Sequence, residues 1–218
     1  MKEKLTIWFL GSNSVGKTTQ CALLHLLLRD VYNQSNYRSR VIQAHENGVT
    51  SYYTKVSPVS ANLGIFHHPL TAVTDPSVKP NACCGTDKLS TKAQIELAYR
   101  AALADPEVTI ITVDAIMATG QFLNFLVNEN SLLFTILLDC TEEINFKRLA
   151  ERRAAKRGVE PSQIIIDDRT KENLSSKLRG FRSMYEKAKP KSDFFKVFST
   201  DLMLINEISS CIIDLLTL

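Results

Sequence analysis

Residues 5–20 read LTIWFLGSNSVGKTTQ and run directly into CALLHLLL at 21–28. An apolar run, a loop bounded by Gly11 and Gly16, and a helical stretch opening at Lys17 make a strand–loop–helix unit. Gly11-x4-Gly16-Lys17-Thr18 fills every position of the phosphate-loop pattern. The expected nucleotide contacts are Gly11, Ser12, Asn13, Ser14, Val15, Gly16, Lys17, Thr18 and Thr19. Backbone amides of such a loop cradle phosphate oxygens, the lysine reaches the β- and γ-phosphates, and the threonine hydroxyl holds Mg²⁺.

Around that unit, strand-like runs at Leu5–Leu10, Arg40–Ala44, Val108–Val113, Leu132–Asp139 and Phe194–Phe198 alternate with helical stretches. The helices are expected at Lys17–Arg29, Thr91–Ala104, Gln121–Asn128, Glu142–Lys156, Thr170–Lys189 and Leu202–Leu216. Thr91 with Gln94 makes a capping-box start, and Asp105-Pro106 stops that helix. This alternation predicts an α/β fold with a parallel, doubly wound sheet and ligands at the carboxyl ends of the strands. One stretch breaks the rhythm: Gly48 to Ser90 holds Pro58, Pro69, Pro76 and Pro80, and is read as an inserted acceptor-binding region at 48–90.

An apolar content of 44% over 218 residues suits a single domain at 1–218. No run approaches the roughly 18 apolar residues of a membrane span. The opening MKEKLTIWFLG is too short and charged for a signal peptide, so a cytoplasmic protein is expected. Cys21, Cys83, Cys84, Cys140 and Cys211 lack CxxC spacing, and the pairs His67-His68 and Cys83-Cys84 fit no common zinc spacing. Net charge is +3, but Lys147 to Lys191 holds 14 Lys/Arg against 6 Asp/Glu while the rest of the chain holds 12 against 17. Such a basic segment in an otherwise acidic chain points to a polyanionic ligand.

The absences narrow the chemistry. No Asn-Lys-x-Asp motif follows the loop, as a GTPase switch would require, and no LSGGQ-like signature appears. The run ITVDAIMATG gives Asp114 without a following glutamate to activate water, which leaves phosphotransfer. Here a resemblance becomes specific. GKTTQ at Gly16–Gln20, FTILLDCTEEINFKRLAERRAAKR at 134–157, DDR at Asp167–Arg169 and FRSMYEKA at Phe181–Ala188 resemble the thymidylate kinase family of nucleoside monophosphate kinases. The likeness covers 1–30 and 132–215 and is poor in between. It implies a five-stranded parallel sheet in the order 2-3-1-4-5 with helices on both faces, ATP with Mg²⁺, and an arginine-bearing lid at 147–170. Arg148, Arg152, Arg153 and Arg157 match the lid arginines, with Arg152 and Arg153 as the catalytic pair beside Lys17 and Asp114. Arg148/Arg152 and Arg153/Arg157 are spaced i,i+4, so each pair shares a helix face.

One departure bears on the acceptor. Thymidylate kinases carry an Asp-Arg pair after the third strand, and its arginine grips the acceptor's phosphate; this chain reads Asp114-Ala115-Ile116. A nucleoside monophosphate brings about two negative charges beside those of ATP, and without a bidentate arginine that repulsion is poorly offset. A hydroxyl acceptor brings none and needs a base instead. Asp114 is the candidate base and, with Thr18, a candidate magnesium ligand; Glu46 and Asp87 are substitutes, and Glu46, Asp87 and Gln121 are the candidate acceptor contacts. Arg100 is the residue that would replace the missing arginine from elsewhere.

A neutral acceptor together with the basic segment resembles the phage 5-hydroxymethyluracil DNA kinases. The resemblance implies phosphorylation of that base in DNA, a step toward hypermodified thymine that shields a viral genome from restriction, in a host cytoplasm. Tyr52, Tyr53 and Phe66 are then candidates to stack on the base. A soluble dTMP kinase and a DNA-binding regulatory NTPase stand as the alternatives, and a homodimer is among the expected assemblies.

Overall fold

The computed structural model describes residues 4–33, 39–63, 89–114 and 119–217. β1 (Leu5–Leu10) leads through the loop to α1 (Lys17–Val31). Three strands follow: β2 (Arg40–Glu46), β3 (Val49–Ser57) and β4 (Ser60–Leu63). Then come α2 (Lys92–Ala104), β5 (Ile110–Val113), α3 (Gly120–Asn128) and β6 (Leu132–Asp139). The chain ends with α4 (Glu142–Arg157), α5 (Asp168–Ala188), β7 (Phe194–Ser199) and α6 (Ile205–Thr217).

The α/β alternation and helices on both faces are as expected, but the sheet is mixed and has seven strands in the order β2-β3-β4-β5-β1-β6-β7. Five of them, β4-β5-β1-β6-β7, run parallel, while β3 pairs antiparallel with β4 and β2 antiparallel with β3. The second strand was expected at Arg40–Ala44 beside the third. The place beside β5 belongs instead to Ser60–Leu63, and Arg40–Glu46 is an exposed edge strand. The physical reason is a pair of tight turns. Asn47 and Gly48 both take positive φ, 49° and 76°, the conformation of a two-residue hairpin whose twist matches its strands. Pro58-Val59 then makes a second turn, where proline costs no ladder hydrogen bond.

Within the expected insert at 48–90, Val49–Ser57 and Ser60–Leu63 are strands of the sheet, with β4 buried throughout. Residues 64–88, including Phe66, His67, His68, Cys83, Cys84 and Asp87, lie outside the described residues. The β2–β3 hairpin also has a direction. Tyr53 pairs with Leu63, the last residue of β4, so β3 continues four residues farther to Val49. The hairpin therefore rises about 13 Å beyond the carboxyl end of β4, on the same side of the sheet as the phosphate loop.

Successive residues of β1 point to opposite faces and feed two cores. Trp8 and Leu10 pack with Ile111, Tyr99, Phe122, Leu126, Phe181 and Tyr185 on the side of α2, α3 and α5. Ile7 and Phe9 pack with Leu24, Leu28, Ile136, Leu138, Phe198, Ile208 and Ile212 on the side of α1 and α6. The helices begin where side chains satisfy free amides. Thr91 and Gln94 form the expected capping box, and Thr119, Thr141 and Asp167 each cap the helix that follows. Among the described residues no helix is long and apolar enough to cross a membrane.

Candidate active site

β1 is buried from Thr6 onward and ends at Leu10, delivering the loop at the carboxyl edge of the sheet. Gly11 lies so close to β6 that a Cβ there would sit 2.7 Å from both the Leu138 carbonyl oxygen and Val15 Cγ2. No larger residue fits without moving backbone. Gly16 precedes α1 at φ 92°, with no side-chain cap and no acid in the first turn. With no side chain capping it, this helix end suits an anion.

Lys17 is 8% exposed. Its Nζ donates to the carbonyl oxygens of Gly11 at 2.7 Å and Ser12 at 2.9 Å, and stands 5.5 Å over the ring of Phe181 from α5. Thr18 Oγ1 donates to Asp114 Oδ2 at 3.1 Å. Asp114 follows β5 directly and is 4% exposed. Two residues 96 apart in the chain, expected to share a magnesium ion, are thus neighbours. A hydroxyl and a carboxylate at this spacing suit Mg²⁺, which takes one or two protein oxygens and completes its shell with water and phosphate. Among the described residues no group of three or more His, Cys, Asp or Glu gathers as a metal site.

The lid candidates divide. Arg148 donates from Nη1 to Thr200 Oγ1 at 2.7 Å and from Nη2 to the Thr200 carbonyl at 2.5 Å, so it holds the segment after β7. Arg153 is half-buried near Asp167, whose carboxyl is held below its ordinary value first by the Thr170 hydroxyl and amide, with Arg153's charge adding to them. Arg152 and Arg157 are exposed and form no ion pair among the described residues. Most basic side chains of 147–191 lie exposed on α4 and α5, which pack against each other.

Arg100 does not fill the place of the missing arginine. Its Nε donates to Glu129 at 3.0 Å and its guanidinium lies 5.2 Å over Phe125. Glu129 caps α3 three residues before Leu132, which pairs with Leu5 at the start of β1. Arg100 is thus at the sheet end opposite the loop, roughly 20 Å away along the strands. Gln121 is exposed in the first turn of α3, on the loop side. Glu46 is exposed at the hairpin tip, three strands and so about 14 Å to the side of β5, out of reach of the loop. Tyr53 is core, donating its hydroxyl to Asp105 at 3.0 Å, and Tyr52 is half-buried against the same core. Tyr185 is also core; burial, then the charge of Glu186, pushes its phenol above the ordinary value.

Two neighbours of the loop, and one residue that ties α5 to the adjoining strand, were not legible as site residues. Phe181 faces Lys17. Asn145 donates to Ser12 Oγ at 3.1 Å. Arg182 donates from Nε to both oxygens of Asp139 at 3.0 Å and from Nη2 to the Cys140 carbonyl at 2.9 Å, fastening α5 to the end of β6. A scan against protein families finds none that matches the chain, and no curated protein matches it.

Proposed function

We propose that the protein is a phosphate-loop kinase, similar in plan to thymidylate kinases, that transfers the γ-phosphoryl group of ATP to the hydroxymethyl group of 5-hydroxymethyluracil in DNA. The observation that carries the phosphotransfer is the convergence of Lys17, the uncapped start of α1 and the Thr18–Asp114 pair at one edge of the sheet. Lys17 rests on two carbonyl oxygens of its own loop, and bound phosphates offer its ammonium stronger, charged acceptors. Thr18 and Asp114 would hold Mg²⁺, which when bound neutralises charge on the β- and γ-phosphates. Asp114 is the acid placed to accept the acceptor's hydroxyl proton; of its two substitutes, Glu46 is too distant and Asp87 lies outside the described residues. Arg152 and Arg153, on α4, are the candidates to meet the transferred group.

The acceptor follows from charge. Asp114 is followed by alanine, and Arg100 is fixed at the far end of the sheet. Neither of these two positions therefore gives a monoester dianion the bidentate partner it needs, whereas an alcohol needs none. The basic α4–α5 surface suits a polymer backbone with salt-sensitive affinity, and the base must leave the stack to reach Asp114. The product would be an intermediate of thymine hypermodification, made where a phage genome escapes restriction. Incubation with γ-labelled ATP and, in parallel, dTMP, hydroxymethyl-dUMP, plain DNA and DNA containing 5-hydroxymethyluracil tests this. Label inside the modified polymer alone is expected. Label on free dTMP identifies a mononucleotide kinase instead, and phosphate release stimulated by plain DNA a regulatory NTPase.

A further inference from the structure

We infer that Asn145, in the first turn of α4, is a positioning residue for the phosphate loop and acts through Ser12. Both residues are 0% exposed. Asn145 Nδ2 donates to Ser12 Oγ at 3.1 Å across 133 positions of sequence. Ser12 is the second residue of the loop, and its carbonyl oxygen is one of the two that hold Lys17. With its Oγ accepting from a fixed helix, the Ser12 rotamer is set, and with it the direction of the peptide that Lys17 leaves when phosphate arrives.

The other end of the same amide argues that this role is functional. Asn145 Oδ1 is buried with no hydrogen-bond partner among the described residues. Were the amide turned over, Oδ1 would accept from the Ser12 hydroxyl and Nδ2 would be the orphan, so one end stays unpaired in either orientation. A buried polar group without a partner is a net cost to folding, and an apolar side chain here would avoid it. The asparagine therefore serves the loop at the expense of the core. It also joins the loop to α4, whose later turns carry Arg152, Arg153 and Arg157. The inference rests on the phosphate loop binding nucleotide, as proposed above.

The test is a double-mutant cycle on the full chain: wild type, Asn145→Ala, Ser12→Ala and the double variant. Each is titrated with a fluorescent ADP and with ATP in Mg²⁺, and melted without ligand. Each single change should raise the nucleotide Kd about tenfold, the factor set by one hydrogen bond of this kind. The double variant should bind no more weakly than the singles while melting at or above the wild-type temperature, because both buried polar partners have gone together. Singles with wild-type Kd and lowered melting temperature would show a structural asparagine and overturn the inference. Multiplicative losses in the double variant would show that Asn145 does not act through Ser12, and overturn it too. A wild-type protein that binds no nucleotide defeats the kinase reading itself, and the positioning role falls with it.

Discussion

Lys55→Met should cost about 3–5 kcal/mol of stability at pH 7, the range for breaking a buried ion pair by removing one partner. Lys55 lies on β3 and is 1% exposed. Its Nζ donates to both Asp105 oxygens, at 3.1 and 3.0 Å, and to Glu107. Asp105 also accepts from Tyr53 Oη at 3.0 Å and from the Glu107 amide at 3.0 Å. Methionine keeps the packing but removes the ammonium that bonds the Asp105 carboxylate, whose side chain is 14% exposed, leaving only the nearby charge of Lys4, bonded to the Asp105 carbonyl, to offset it. For a chain of this size the loss is a fall of roughly 6–20 °C in melting temperature. The pH dependence has a definite sign. Burial pushes the Asp105 carboxyl up, but the Lys55, Glu107-amide and Tyr53 hydrogen bonds outweigh it and hold its pKa below the ordinary 3.8. The folded state therefore binds this proton less readily than the unfolded chain. Its contribution is present above about pH 4 and fades as pH falls through the depressed folded value. Burial likewise lowers Lys55, but Glu107 and Asp105 more than restore it above its ordinary 10.5, so its contribution is lost only as pH rises past that value. The deficit of Lys55→Met, read from urea melts between pH 3 and pH 8, should shrink toward acid, and Asp105→Asn with Glu107→Gln should restore much of it. A deficit below about 1 kcal/mol at pH 7, or one flat with pH, would refute the reasoning, because a buried cation spanning two acids cannot be both central and dispensable.

Asp114→Asn should lower phosphoryl transfer by about 10²–10⁴-fold with ATP affinity changed only a few-fold, measured by steady-state kinetics and nucleotide titration. Arg152→Ala and Arg157→Ala should each reduce the slope of log affinity for modified DNA against log salt by about one, because both side chains are exposed on α4. Burial, and after it the charge of Asp201, pushes the Cys140 thiol up to about 11, so it should resist alkylation at pH 8 under conditions that label the half-buried Cys211; mass spectrometry of the native protein reads the difference.

What the sequence made legible was local chemistry. The phosphate loop and six helices could be read because caps, glycines and periodicity sit within a few residues of what they control, as with Thr91 and Gln94. β3 and β4 fall in a stretch whose prolines, at 58–80, mask its strand pattern. Asn47-Gly48 ahead of VTSYYTKVS is a hairpin turn ahead of a β-branched and aromatic run, and gave the better clue. The strand order differs for that reason: once Ser60–Leu63 takes the place beside β5, Arg40–Glu46 can only lie outside it. Asn145 and Phe181 were illegible for another reason. Each reaches the loop from more than a hundred residues away, and nothing in EEINF or RGFRS marks the side chain that points there.

The distribution of cations at the carboxyl edge bears most directly on the acceptor. On the side of β6, α4 and α5, charge is abundant: Arg152 and Arg157 are exposed, Arg148 is fixed to Thr200, and Arg182 is fixed to Asp139. On the other side, past β5 toward the raised β2–β3 hairpin, the described cations are committed or distant. Lys92 at the start of α2 pairs with Glu96 at 3.4 Å, while Arg40, Lys55 and Arg100 belong to the opposite end of the sheet. The hairpin tip itself offers His45, Glu46 and Thr50, with the histidine and threonine hydrogen-bonded to each other. A site that must draw a dianion toward ATP would concentrate guanidinium groups where the acceptor enters. Among the described residues the exposed cations gather on the side of α4 and α5, where the proposed reaction would bring a γ-phosphoryl group and a polymer backbone. On the proposed acceptor side the described residues offer hydroxyls, a carboxylate and a wall of sheet. That asymmetry favours an uncharged nucleophile carried on a charged chain over a free monophosphate, because the charge that binds the substrate and the atom that attacks then belong to different parts of it.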